Sequence, residues 1–159
     1  MIQTRYAEPS DLEPAALVLQ SAARRLVVKG EPLWEPASFT SRSLEGWLGE
    51  LCVATLEGGA VVGTMRLQPE DPTFWPEVPA GSSLYVHKLA VSDAARGHGV
   101  AQALLEFACS EVNAQGRAWL RLDCADRPAL RAMYERFGFQ YRDMREVGGF
   151  TVCRYELPV

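Results

Sequence analysis

The chain has 159 residues, 48% of them apolar and 23% charged, with a formal charge of −4. That length buries a full core without staples, so a single domain over residues 1–159 is expected. There is no long apolar run and no secretory h-region, so a cytoplasmic protein with no membrane partner is expected, and the negative charge argues against a nucleic-acid partner while mildly favouring cationic ligands.

Ser10-x-x-Glu13 reads as a capping box that opens a first helix running to about Val28. Gly30 to Pro36, with Trp34 between two prolines, breaks it, and a short second helix follows over about Ser41–Leu48 with Leu44, Trp47 and Leu48 on one face. Leu51–Glu57 and Ala60–Leu67 read as strands, and Gln68–Gly81, which contains Phe74-Trp75, as a longer loop. Leu84–Val91 is a further strand without a breaker. Next comes Ala95-Arg96-Gly97-His98-Gly99-Val100-Ala101-Gln102, and then a helix whose Val100, Ala103, Leu104, Phe107, Ala108 and Val112 make one apolar face. Trp119–Cys124 alternates as a strand. A short helix starts at about Pro128 and stops at Gly138. Gln140–Glu146 and Phe150–Leu157 flank Gly148-Gly149 as a hairpin. The four cysteines, at 52, 109, 124 and 153, form no Cys-x-x-Cys pair; no metal is expected, and they read as small buried hydrophobes.

The segment from Arg96 to Ala101 has the makings of an anion cradle. Two glycines let the backbone turn tightly and approach a ligand, the helix mouth offers free N–H groups, and Arg96 adds a cation. No Walker loop is present, and Gln102 stands where a dinucleotide fingerprint needs its third glycine. Arg96-Gly97-His98-Gly99-Val100-Ala101 instead fits Arg/Gln-x-x-Gly-x-Gly/Ala once the loop is read in that register. This resembles the pyrophosphate-binding motif of the GNAT superfamily of acyl-CoA-dependent N-acetyltransferases. Tyr134-x-x-x-Gly138-Phe139 is similar to the closing signature of the same superfamily.

The resemblance implies an α/β fold (α+β by some conventions): a mixed, mostly antiparallel sheet of about seven strands with four helices, splayed between the fourth and fifth strands. It implies acetyl-CoA as co-substrate, with its pyrophosphate on Arg96, Gly97, His98, Gly99, Val100 and Ala101. The pantetheine arm is expected to pair with the backbones of Leu89, Ala90 and Val91. It implies acetyl transfer to a primary amine of a small molecule; a protein N-terminus or lysine, or a non-catalytic acyl-CoA-binding module, are the alternatives. A homodimer is compatible with it.

Tyr134 matches the family tyrosine that protonates the departing thiolate, a task open to a phenol still protonated at pH 7. Its duller reading is a packed ring. His87 shares the strand face of Tyr85, Leu89 and Val91 by strict alternation and sits where arylalkylamine acetyltransferases of the superfamily carry an active-site histidine. Base or internal hydrogen bond are its two readings. Arg127 stands seven residues before Tyr134, where many members have an asparagine that touches pantetheine; an arginine cannot accept a hydrogen bond, so a cofactor phosphate or solvent is its expected partner. Trp34 and Trp75, in proline-flanked loops, are expected to line the acceptor pocket, and Asp123 to hold a cationic acceptor or to cap the next helix. Cys109 and Cys124 are the nucleophiles near the motifs, and neither has an activating neighbour in sequence, so direct attack on the thioester is expected.

Overall fold

The computed structural model describes residues 1–57 and 59–159. Among these are seven strands: β1 (Gln3–Tyr6), β2 (Leu51–Thr55), β3 (Val61–Gln68), β4 (Ser83–Val91), β5 (Trp119–Ala125), β6 (Gln140–Val147) and β7 (Phe150–Pro158). The α-helices among them are α1 (Leu12–Val28), α2 (Ser41–Leu44), α3 (Val100–Ala114) and α4 (Pro128–Phe137). Strand order is β1-β2-β3-β4-β5-β7-β6. β4 and β5 pair in parallel, whereas β1–β2, β2–β3, β5–β7 and β6–β7 pair antiparallel. This is the mixed, mostly antiparallel sheet that the sequence implies. None of the described helices is long and apolar enough to cross a membrane.

Contacts gather the chain into two compact units, Met1–Arg66 with Lys88–Phe107, and Leu67–His87 with Ala108–Val159. In the first unit α1 buries Leu12, Ala15, Ala16, Leu19, Ala22 and Ala23 with Phe39, Leu44, Leu51, Val53 and Ala90. The helix does not open on Ser10 as its sequence suggests. A 3-10 turn over Pro9–Asp11 precedes it, and Asp11 accepts from the Glu8 amide at 2.7 Å and from Arg5 at 2.6 and 3.1 Å. The capping box therefore lies earlier, with Glu8 as its N-cap and Asp11, held by Arg5, as its third residue. The second expected helix is likewise shorter: α2 ends at Leu44 and a 3-10 turn, Glu45–Trp47, carries the chain on.

β4 departs from regular alternation at Lys88, which adopts φ +53. Its carbonyl accepts from Thr64 Oγ1 at 3.0 Å. A residue in the left-handed region shifts the period-two pattern, so His87 does not share one face with Leu89 and Val91 as strict alternation would have it.

In the second unit, β4 and β5 are in register only over Ser83–Tyr85 and Trp119–Arg121. β4 continues to Val91 and β5 to Ala125 beyond that pairing, which is the expected splay. α4 stops at Gly138, whose φ of +121 favours glycine and whose amide bonds the carbonyls of Tyr134 and Glu135 at 3.2 and 3.1 Å.

The first unit also shows why α3 begins where it does. Gly63, mid-way along β3, lets the helix approach: a Cβ there would lie 2.6 Å from Val100 Cγ1, 3.1 Å from Leu104 Cδ1 and 3.3 Å from the Ala90 carbonyl. Gly63→Ala should therefore destabilise the fold by about 1–3 kcal/mol through overpacking, although alanine is ordinarily better tolerated in a strand. Urea denaturation measures this as a lower midpoint; an unchanged midpoint would mean that α3 does not rest on β3.

Candidate active site

The anion cradle lies in the first unit. A 3-10 turn, Asp93–Ala95, leads into Arg96, and α3 begins at Val100. Gly97 and Gly99 have φ of +79 and +85, values that L-residues rarely adopt. A Cβ built on either glycine meets no heavy atom within 4 Å. Packing within the protein therefore does not demand glycine at these two positions; backbone conformation does, and the space above the loop stays open to a ligand. Arg96, Gly97, His98 and Gly99 are exposed, and His98 Nδ1 lies 3.0 Å from the Arg96 carbonyl. Val100 is buried against β3 and Ala101 half-buried, so the first helical turn is anchored on the sheet. In the same unit Leu89 and Val91 are half-buried and Ala90 is buried.

The groups able to do acid–base chemistry lie in the second unit. Beyond the last parallel pair, Tyr85 with Arg121, the same register would bring His87 opposite Asp123. The strands diverge there, and the side chains occupy the opening. Asp71 joins them from the loop after β3, and one donor atom from each of Asp71, His87 and Asp123 lies within 4.8 Å of the other two. His87 Nε2 is 3.1 Å from Asp71 Oδ2. This distance suits an ion pair, yet the two atoms do not meet hydrogen-bond geometry, and both are buried without a hydrogen-bond partner. Asp71 is held by its other oxygen, Oδ1, which accepts from the Phe74 amide at 3.1 Å. Asp71 was not legible as a site residue: an aspartate in a Pro/Glu/Asp-rich loop reads as turn chemistry, and only the fold brings it to His87.

Tyr134, on α4, is buried between Phe139 and Tyr155, with ring centroids 5.7 and 6.4 Å away. Burial, reinforced by nearby Cys124 and Asp123, pushes its phenol well above the usual range, so it holds its proton at neutral pH. Asp123 is thus a neighbour of both Tyr134 and His87. Cys124, buried on β5, is pushed up to about 12 by burial, with Cys153 and Asp123 adding to the effect. As a thiol it is a poor nucleophile. Arg127 sits half-buried just before α4, its amide bonding the Ala125 carbonyl at 2.8 Å.

Trp34 is half-buried, whereas Trp75 takes a different place from the one expected. Trp34 packs edge-on against Phe39 at 6.0 Å, and Lys88 Nζ lies 5.6 Å from its ring centre, so its cation-binding face already has a cation from the same chain. Trp75 is not a pocket wall: it is 2% exposed, with the guanidinium carbons of Arg154, Arg121 and Arg142 at 4.3, 5.4 and 5.8 Å from the indole. A large aromatic in a loop is drawn inward when charged side chains line up to cover its faces.

Comparison with known proteins gives the family. Residues 47–141 match the family described as Acetyltransferase (GNAT) domain, more than half of the chain, and the chain belongs to that family. Over 72 residues it is 35% identical to the uncharacterized N-acetyltransferase YesJ of Bacillus subtilis; that match spans 45% of this chain and 40% of the relative's length. Its fold is similar to a GNAT-family acetyltransferase from Listeria monocytogenes (TM-score 0.79, 24% identity, 99% of this chain and 95% of the other). It is also similar to the ribosomal-protein-S18-alanine N-acetyltransferase of Escherichia coli (TM-score 0.69, 23% identity, 100% and 94%).

The loop that carries Asp71, Phe74 and Trp75 is pinned by a residue invisible as such in the sequence. Arg154 of β7 is fully buried; its Nε and Nη2 bond Asp143 at 2.7 and 2.8 Å, and its Nη1 bonds Glu77 at 2.5 Å and the Phe74 carbonyl at 3.0 Å. Arg154→Met should cost about 3 kcal/mol, the low end for breaking a buried pair, because Asp143 and Glu77 keep some access to water. The guanidinium holds the Asp143 carboxyl below the usual carboxylate range. The pair's contribution is therefore whole above the unfolded value of about 4 and fades as pH falls through the lowered folded value. Thermal melts of wild type and variant should differ most near neutrality and converge below about pH 4. A gap that persists into acid would assign Arg154 a purely steric role.

Proposed function

We propose that the protein transfers an acetyl group from acetyl-CoA to a primary amine of a small molecule, by direct attack of the amine on the thioester. The observation that supports this reading is the Gly97–Gly99 loop, whose two positive-φ glycines have nothing within 4 Å of a built Cβ and lie at the mouth of a fifteen-residue helix. Peptide N–H groups and the dipole of α3 would receive the pyrophosphate, with Arg96 as the cationic donor. The backbones of Leu89, Ala90 and Val91 would pair with the pantetheine arm. Arg127, a donor only, suits a phosphate or carbonyl oxygen rather than the amide contact of an asparagine.

The amine must be neutral when it attacks, and His87 would take its proton. The nitrogen then bonds the carbonyl carbon, the C–S bond breaks, and the thiolate leaves. Tyr134 would serve that last step with its hydroxyl. A phenol raised above its ordinary pKa of about 10 is a weaker acid than a thiol near 8.5, so full transfer from Tyr134 to the thiolate is uphill. Its contribution is a hydrogen bond to the developing thiolate, with the amine's second proton completing the thiol. Cys124, a thiol up to about pH 12, supports the absence of an acyl-enzyme.

The pinned loop of Phe74 and Trp75 favours a small acceptor over a peptide. The Escherichia coli neighbour, named for an alanine of a ribosomal protein, shows that the fold serves protein acceptors too. A turnover screen of acetyl-CoA against amines, amino acids, aminoglycosides and peptides separates the two; turnover with peptides alone would reject the small-molecule reading.

Two variants test the parts. Gly99→Val should weaken acetyl-CoA binding at least about tenfold by calorimetry, the loss of one charge-assisted hydrogen bond, because a Cβ there intrudes on the ligand's side of the loop. Unchanged affinity in a folded variant would remove the loop from the site. Tyr134→Phe should lower kcat by about 10- to 100-fold with acetyl-CoA affinity preserved, as expected for a lost hydrogen bond to an anion. Wild-type kcat, with chemistry rate-limiting, would take Tyr134 out of the reaction.

A further inference from the structure

Asp71 Oδ2 and His87 Nε2 are unusual neighbours. They approach to 3.1 Å, both buried, and neither has a hydrogen-bond partner. The Asp71 side chain is only 7% exposed. A carboxylate oxygen is an acceptor only, and a neutral imidazole nitrogen without its hydrogen is another. The two atoms lie close without forming a hydrogen bond to each other, and Asp123 brings a second carboxyl oxygen within 4.8 Å of both. Buried acceptors of this kind cost free energy until a donor reaches them, and a cation carrying several hydrogens could satisfy all three residues at once.

We propose that Asp71, His87 and Asp123 form the site that receives the acceptor as a primary ammonium ion, and that Asp71 is a binding residue for it. The inference rests on the acetyl-transfer reading for its purpose, although its binding chemistry does not. A –NH3⁺ group has three N–H donors, matched by one acceptor atom from each of the three residues. The substrate class is narrowed accordingly to amines that are charged near neutral pH, and away from arylamines, hydrazines and other amines that are neutral there. The proton balance follows. The N–H bond directed at His87 breaks, its proton moves to Nε2, and the imidazolium so formed lies 3.1 Å from the Asp71 carboxylate that stabilises it. The neutral amine then attacks, and the imidazolium returns its proton to water after the acetylated product leaves. The same three donor atoms would also suit a divalent metal, which bears charge but no hydrogens.

The chain has two histidines, and His98 is exposed on the glycine loop, so imidazole NMR signals report on His87 with His98 as internal control. Methylammonium chloride is the probe and tetramethylammonium chloride, equal in charge but lacking N–H donors, the control. Methylammonium should shift the His87 signals in a saturable way and leave His98 in place, and the control should move neither. In Asp71→Asn, which keeps Oδ1 for the Phe74 amide, the methylammonium affinity should fall about tenfold, the loss of one charge-assisted bond. Equal responses to the two salts, or none, in the wild-type protein would overturn the proposal whether or not the variant folds. So would an undiminished response in a folded Asp71→Asn. One equivalent of divalent metal in the purified protein, lost in Asp71→Asn, would make the cluster a metal centre and overturn it equally. None of these measurements uses acetyl-CoA, so an inactive acyl donor in the turnover screen and an unoccupied ammonium site remain separate results.

Discussion

Three residues of parallel pairing, Ser83–Tyr85 with Trp119–Arg121, decide what the second unit can do. Had the ladder run on, the next backbone groups would have satisfied one another and side chains there would stand on a finished sheet. Because β4 and β5 part company, His87 and Asp123 face a gap at equivalent positions in the interrupted register. Asp71 closes that gap from the neighbouring loop, and Tyr134 on α4 lies within electrostatic reach of Asp123. Four residues scattered over more than sixty positions thus acquire a shared environment from one broken strand pair.

Holding such a gap open requires stiff surroundings. The second unit supplies them with buried guanidiniums: Arg121 on β5 pairs with Glu156 at 3.0 Å, and Arg154 on β7 with Asp143 and Glu77. Trp75 sits among Arg121, Arg142 and Arg154, so cation–π contacts tie the loop after β3 to the hairpin of β6 and β7. Arginine suits this task better than lysine, because its planar fork satisfies a carboxylate, a carbonyl and an aromatic face together. The loop that positions Asp71 is therefore held by directed polar bonds as well as by apolar burial.

The regular elements were legible in the sequence because their signals are local. Apolar spacing from Val100 to Val112, Pro128 and Gly138 at the two ends of α4, and Gly148-Gly149 between β6 and β7 each report on a short stretch of chain. The glycine loop was legible for the same reason. What escaped was set by contacts between distant segments. Asp11 replaced Ser10 as the residue bonding the turn before α1 because Arg5 reaches it; Trp75 went inside because three arginines cover it; Lys88 broke the alternation of β4. The need for glycine at position 63 is likewise set from afar, by Val100, whose Cγ1 lies 2.6 Å from where a Cβ would be. Asp71 belongs with these, since nothing within ten residues of it announces a histidine partner.

Burial assigns roles to groups that sequence position leaves equal. Tyr134 and Cys124 occupy the same interior, and in both cases desolvation disfavours the anion. For the cysteine this ends its candidacy as a nucleophile, since attack needs the thiolate. For the tyrosine it keeps the O–H protonated at physiological pH. The same low-dielectric surroundings that suppress ionisation strengthen a hydrogen bond to charge that forms only during reaction, so stabilisation is greater in the transition state than in the resting protein. Beside them, Asp71 and Asp123 each bring a carboxyl oxygen within 4.8 Å of the His87 imidazole. The interior of the second unit thus holds a tyrosine and a cysteine whose anions are disfavoured by burial beside a cluster of two aspartates and a histidine.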